Sequence, residues 1–146
     1  MKNHTELVRE FHDAFDVETP ALPCLPAVTI RELRSDLIIE ENRELEHADN
    51  STEALDAIAD LLYVVHGAAL AYGFTPGQVD AAFREVHRSN MSKAWSYDEM
   101  NAGFPDDCVA FRICEGKWSV KRKDGKIIKS PSYSKANLGE IVEDVE

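Results

Sequence analysis

STEALDAIADLLYVVHGAALAY, residues 51–72, decides the fold. From Ala57 onward its apolar side chains (Ile58, Leu61, Leu62, Val64, Val65, Ala68, Ala69 and Leu70) cover nearly every side of a helix. A helix that is apolar all round is a central, buried one. A chain of 146 residues has few other elements to wrap it, so the expected architecture is mainly α, a four- to five-helix bundle completed by a second copy as a homodimer or higher homo-oligomer.

Working outward, four capping-box patterns place the helix starts: Asn3/Glu6, Thr29/Glu32, Asn50/Glu53 and Thr75/Gln78. Pro76 stands where a missing N–H costs nothing. The predicted helices cover residues 4–16, 30–48, 51–72 and 76–94. Pro20, Pro23 and Pro26 mark an extended linker, and Gly73 stands where a helix end favours a left-handed residue. After Lys93 the pattern shifts to β-formers at 109–113, 117–122 and 126–129, with Asp124-Gly125 as a hairpin turn. The expected organisation is an all-α bundle over 1–93 and a small C-terminal β-hairpin appendage over 94–146, packed on the same domain.

Composition narrows the function. The net charge is −11, with 16 basic and 27 acidic residues, which disfavours nonspecific nucleic-acid binding. A local exception runs through residues 117–135, where seven basic side chains face one acid, Asp124. No run reaches the ~18 apolar residues that span a bilayer, and residues 1–10 lack an apolar signal core. Cys24, Cys108 and Cys114 are odd in number and without a CxxC pair, arguing against a disulfide framework or zinc site and for a reducing, cytoplasmic setting.

The acidic residues are not scattered. Ile30, Leu33 and Leu37 set an apolar stripe that, continued at helical spacing, runs into Glu40, Glu41 and Glu44. On the next helix Asp56 and Asp60 share a stripe with Tyr63 and Gly67. Asp60 is expected to be buried, and a buried carboxylate is costly unless paired or bound to a metal. Oxygen donors without a His or Cys cluster select Mg²⁺, with Mn²⁺ as a substitute, and the natural ligand of such a site is a phosphate chain. The ordinary alternative is a solvated glutamate stripe paired to Arg43 or Arg34. Asn90 and Lys93, with His87, could turn an amide and an ammonium toward phosphate oxygens, or could simply cap the helix.

The ordered set Glu40-Glu41-x-x-Glu44, Asp60-Leu-Leu-Tyr63 and His87-Arg-Ser-Asn90-Met-Ser-Lys93 resembles the all-α nucleoside triphosphate pyrophosphohydrolases, in the MazG-like and phosphoribosyl-ATP-pyrophosphohydrolase-like branch. The similarity runs from about Glu6 to Lys93 and resumes at Asp124-Gly-Lys-Ile-Ile-Lys-Ser-Pro-Ser-Tyr133. The resemblance implies conversion of a nucleoside triphosphate to monophosphate and pyrophosphate, as nucleotide-pool house-cleaning, with dUTP or a non-standard deoxynucleotide favoured. It implies metal ligation by Glu41, Glu44 and Asp60, and a base or further ligand role for Glu40. The family's first acid on the second helix is replaced by Ala57, and Asp56 is the substitute one turn from Asp60. Asn90, Lys93, Tyr63, Lys126 and Lys129 are the expected phosphate- or substrate-binding residues, and His12 and Phe15 are candidates beside the base. Trp95, Tyr97, Phe104 and Trp118 are expected to cover the bundle end rather than stack on the base. Hydrolysis of another phosphoanhydride (phosphoribosyl-ATP, a guanosine alarmone) stays open, as does a noncatalytic nucleotide or metal sensor whose basic Lys121, Arg122 and Lys123 meet a partner.

Overall fold

The computed structural model describes residues 1–143. The chain is mainly helical: α1 (His4–Ala14), α2 (Val28–His47), α3 (Ser51–Ala71), α4 (Pro76–Met91), then β1 (Trp95–Ser96), α5 (Tyr97–Ala102), β2 (Cys108–Cys114), β3 (Lys117–Arg122) and α6 (Gly139–Glu143). It divides into two compact units. The first holds Met1–Asp80 with the residues from Ile141; the second is Ala81–Glu140.

Local chemistry explains the helix starts. Asn3 and Glu6 form a reciprocal capping box on α1. Asn50 Oδ1 accepts from the N–H groups of Thr52 and Glu53, while the Glu53 carboxylate reaches one residue further back, to the Asp49 N–H. Thr75 and Gln78 exchange hydrogen bonds ahead of α4. The box expected at Thr29/Glu32 does not form: α2 begins two residues earlier, with Ala27 as a cap that has no side-chain bond. Ala27, with φ −52° and ψ 150°, is the last residue before the helix, and Thr29 is already inside the first turn.

In the first unit α1 and α2 both pack on α3. Small and apolar residues make the seam: Ala57, Gly67, Leu70 and Ala71 of α3 are buried, as is Val8 of α1. By length and composition α3 could cross a membrane, although it has no uninterrupted apolar run of that length. It carries Asp56 and Asp60 and packs against two helices of the same unit. The expectation that α3 is buried on every side is not met within one chain, because Leu55, Ile58, Leu62 and Val65 remain 43–67% exposed.

Gly73 ends α3 with φ +78°, and a Cβ there would lie 2.2 Å from the Leu22 carbonyl oxygen. The Pro-rich segment is drawn across the helix end, where the Cys24 N–H donates to the Tyr72 carbonyl at 2.9 Å. Both the backbone angle and the space therefore demand glycine.

The second unit is built on a three-stranded antiparallel sheet, β1-β3-β2, rather than the expected hairpin of residues 117–129. Cys114 pairs with Lys117, so the turn between long strands is Glu115-Gly116, with Gly116 at φ +72°. Asp124-Gly125 does turn the chain, yet residues 126–129 return only a single bridge, Lys121 to Ile127. β1 already occupies the start of that edge of β3 through Trp95 and Ser96. Trp95, Cys108 and Val120 form the core, with Met100, Phe104, Trp118 and Ile128 against it. Trp95, Phe104 and Trp118 thus serve packing, within the core of this sheet; Tyr97, largely exposed, lies against Trp118 at 6.0 Å. The three cysteines are free.

A capping box not anticipated in the sequence starts α5: Glu99 accepts from the Ser96 N–H at 2.7 Å and, with its other oxygen, from the Ser132 N–H at 2.9 Å. The Ser96 bond first, then those from Ser132, lower its pKa from 4.5 to about 2. A depressed carboxylate contributes stability that is present above the unfolded pKa and lost as pH falls through the folded one. Acid titration followed by near-ultraviolet circular dichroism should show tryptophan packing lost between about pH 4.5 and 2, and Glu99→Gln should remove part of that dependence. Gly73→Ala should cost about 2 kcal/mol or more in a urea melt, from the left-handed angle and the backbone clash.

Candidate active site

The antiparallel pairing of α2 and α3 brings Glu40, Glu41 and Glu44 opposite Asp60 and Asp56. The electrostatics of Glu41 show it. Partial burial first, and then the charges of Glu44, Asp60, Glu40 and Asp56 in that order, push its carboxyl above the usual range. The expected burial of Asp60 is not found: it is exposed, as are Asp56, Glu40 and Glu44, and only Glu41 is half-buried. The apolar surroundings of Asp60 in the sequence are therefore partly surface in one chain. Neither Arg43 nor Arg34 forms an ion pair with these glutamates among the described residues; the stripe is solvated, as the ordinary alternative has it, but not salt-bridged to them.

Ala57 explains the departure in the second motif. It is 3% exposed, in the seam where a carboxylate would be buried, while Asp56 beside it is exposed and acts on Glu41. The donor chemistry suits a hard divalent cation, since every candidate ligand is a carboxylate. As they stand, no three such groups among the described residues converge tightly enough to enclose an ion. They are close enough for the others to act on Glu41.

One turn beyond Asp60, Tyr63 meets Phe11 edge-on at 5.8 Å. It lines a cavity of about 170 Å³ between α1 and α3, with Leu7, Val8, Leu62 and His66. His66 Nδ1 is tied to the Thr5 hydroxyl at 2.9 Å, and burial lowers the pKa of the imidazole. No spacing in the sequence singles out His66; it emerges only when α1 lies on α3. His12 is buried on α1, and Phe15 is exposed at the end of that helix, 4.4 Å from Phe11.

The other candidates lie in the second unit. Lys93 sits just past α4 and donates to Asn90 Oδ1 at 2.8 Å. Lys129 lies 4.4 Å over the Tyr133 ring, and the Tyr133 hydroxyl accepts from Ser89 at 3.1 Å. That bond first, then the charges of Lys129, Lys93 and Lys135 against partial burial, lowers the Tyr133 pKa. Tyr133 is thus the centre of a basic group that includes Lys93 and Lys129. Lys126 is not part of it; its N–H closes the turn on Asp124.

Because Glu41 is held among like charges, its neutralisation should relieve repulsion. In chelator at neutral pH, Glu41→Gln should raise the thermal midpoint, a stabilisation characteristic of sites shaped for ligand rather than for the fold; a lowered midpoint would show that Glu41 is structural.

No curated protein matches the chain. The family model described as phosphoribosyl-ATP pyrophosphohydrolase matches residues 8–90, a span that holds both acidic helices, Tyr63 and Asn90. With more than half its length inside that match, and its carboxylates facing one another across α2 and α3, the chain belongs to the phosphoribosyl-ATP pyrophosphohydrolase family, within the MazG-like all-α pyrophosphohydrolases, and is a hydrolase of phosphoanhydride bonds.

Proposed function

We propose that the substrate is a nucleoside triphosphate, cleaved to monophosphate and pyrophosphate, with dUTP or a non-standard deoxynucleotide favoured in a nucleotide-pool house-cleaning role. The feature that carries this reading is the placing of Glu40, Glu41 and Glu44 on α2 opposite Asp56 and Asp60 on α3, near enough for all four other carboxylates to act on Glu41, a donor set suited to a divalent cation and through it to a polyphosphate. Glu41, Glu44, Asp60 and Asp56 would hold Mg²⁺ or Mn²⁺, which when bound supplies neutralisation of phosphate charge and a more acidic water.

Glu40 stands beside the ligand set and takes the proton of the attacking water. The water oxygen bonds to the α-phosphorus as the bond to the bridging oxygen breaks and pyrophosphate leaves. Tyr63 and its cavity offer an aromatic wall to the base. In the second unit Asn90, Lys93 and Lys129 present an amide and two ammonium groups suited to phosphate oxygens; Lys126 is a weaker candidate on the same chemistry. The uncovered apolar side chains of α3 support a homodimer as the working form. Three free cysteines suit a reducing compartment, and the acidic charge suits neither membrane surface nor nucleic acid. A second reading, phosphoribosyl-ATP as substrate, is supported by the family's description.

The test is product analysis by chromatography, with ribo- and deoxynucleoside triphosphates and phosphoribosyl-ATP in Mg²⁺ or Mn²⁺. Monophosphate and pyrophosphate are expected, and the relative kcat/KM values rank the substrates. Diphosphate and orthophosphate would contradict attack at the α-phosphorus. Glu41→Gln and Asp60→Asn should each lower turnover by about 10³-fold or more while far-ultraviolet circular dichroism stays unchanged, as removal of charge-stabilising groups implies. Nucleotide binding without any turnover would instead fit a sensor.

A further inference from the structure

Two turns along the α2–α3 seam from the carboxylates, the sign of the charge reverses. Arg34 precedes Glu41 by seven residues on α2, about 10 Å of helix rise. Its guanidinium lies over Gly67 of α3: a Cβ there would stand 3.1 Å from Arg34 Nη1 and 3.5 Å from His12 Nε2. Glycine thus leaves room for two nitrogen-bearing side chains, from different helices, to meet on one spot.

Their polar atoms are unsatisfied. His12 is 3% exposed, and its Nδ1 has no hydrogen-bond partner. Arg34 Nε is likewise buried and unpartnered, as are the Nε atoms of Arg9, three residues before His12 on α1, and of Arg31, three residues before Arg34 on α2. Positions three apart share a helix face. No carboxylate forms an ion pair with these arginines among the described residues. Asp13 is the one acid acting on His12, opposed by Arg34 and Arg9. The Nε atoms are shut from water while the arginine side chains as a whole are half-buried, and a native fold keeps a buried unpaired donor where something completes it.

We propose that Arg34 and His12, meeting over Gly67, form an oxyanion site separate from the carboxylate cluster, and that its ligand is a phosphate group. Arginine supplies the planar fork of donors that matches phosphate oxygens. His12 adds a donor where burial and the neighbouring cations keep the ring uncharged in the empty site. Gly67 keeps the floor open. The geometry stands on its own, so it does not depend on which nucleotide the acidic cluster takes.

The experiment uses the full chain in chelator, without divalent ions, titrated with inorganic phosphate and separately with ribose 5-phosphate at constant ionic strength held by sodium chloride. Binding is followed through the arginine Nε–H resonances. Saturable shifts of the Arg34 signal by about 10 mM ligand are expected, corresponding to millimolar affinity. Tighter binding of ribose 5-phosphate would identify a sugar phosphate as the source, and equal binding would identify free phosphate. Arg34→Gln should weaken either by about tenfold or more. Arg34→Lys, which keeps the charge but loses the planar fork, should give a smaller loss and guards against misfolding of the first variant. Glu41→Gln and Asp60→Asn should leave the binding in place, which separates this site from the acidic one. Absence of any shift, or binding that survives Arg34→Gln and vanishes in Asp60→Asn, overturns the proposal. So does an Arg34 signal already paired in the ligand-free protein, as it would be with a carboxylate from a second copy.

Discussion

Like charges held on facing helices are the constraint from which the first unit is best understood. Glu41 is pressed by four other carboxylates, and such repulsion works against the very pairing of α2 with α3 that creates it. The pairing persists because its attraction lies elsewhere along the seam. Ala57, Gly67, Leu70 and Ala71 are buried, and their small size lets the helices approach closely enough for dispersion and desolvation to outweigh the cost. The site is open where the charges stand and closed where the alanines and glycine stand.

Ala57 shows how tightly the two demands are interleaved. A helix turning through 3.6 residues per turn gives neighbouring positions different faces, so residue 57 faces the seam and residue 56 the solvent side. A carboxylate at 57 would be desolvated without a partner; at 56 it stays hydrated and still acts on Glu41. Moving the acid by one residue keeps the charge and frees the seam. Gly73 has a comparable role at the other end of α3, where its positive φ and lack of a Cβ let residues 20–26 cross the helix end.

What could be read from the sequence was local or periodic. Capping boxes at Asn3, Asn50 and Thr75 depend on residues three apart, and the order of acidic motifs is itself linear information. Thr29 misled because its box was intact in sequence while α2 starts earlier, directly after Ala27. Asp124-Gly125 misled for a different reason. It is a sound turn, but the edge of β3 on which its return strand would lie is shared with Trp95 and Ser96, residues far away in sequence. Asp60 was expected to be buried because its neighbours are apolar, yet periodicity reports only that a face is apolar and not whether the same chain covers it. His66, Tyr133 and the Arg34 group needed the third dimension outright: each owes its character to a contact between residues more than thirty positions apart.

Apolar side chains left outside are therefore the remaining physical fact about α3. Leu55, Ile58, Leu62 and Val65 expose 43–67% of their surface, and they occupy the helix that also carries Asp56 and Asp60. An apolar face of this kind is costly in water, at roughly 25 cal/mol for each Å². Covering it would stabilise the helix from the side away from its carboxylates. At about 100° per residue the row Leu55, Ile58, Leu62 and Val65 lies roughly opposite Asp56 and Asp60, so the apolar side of α3 can be closed while its acidic side stays open to water.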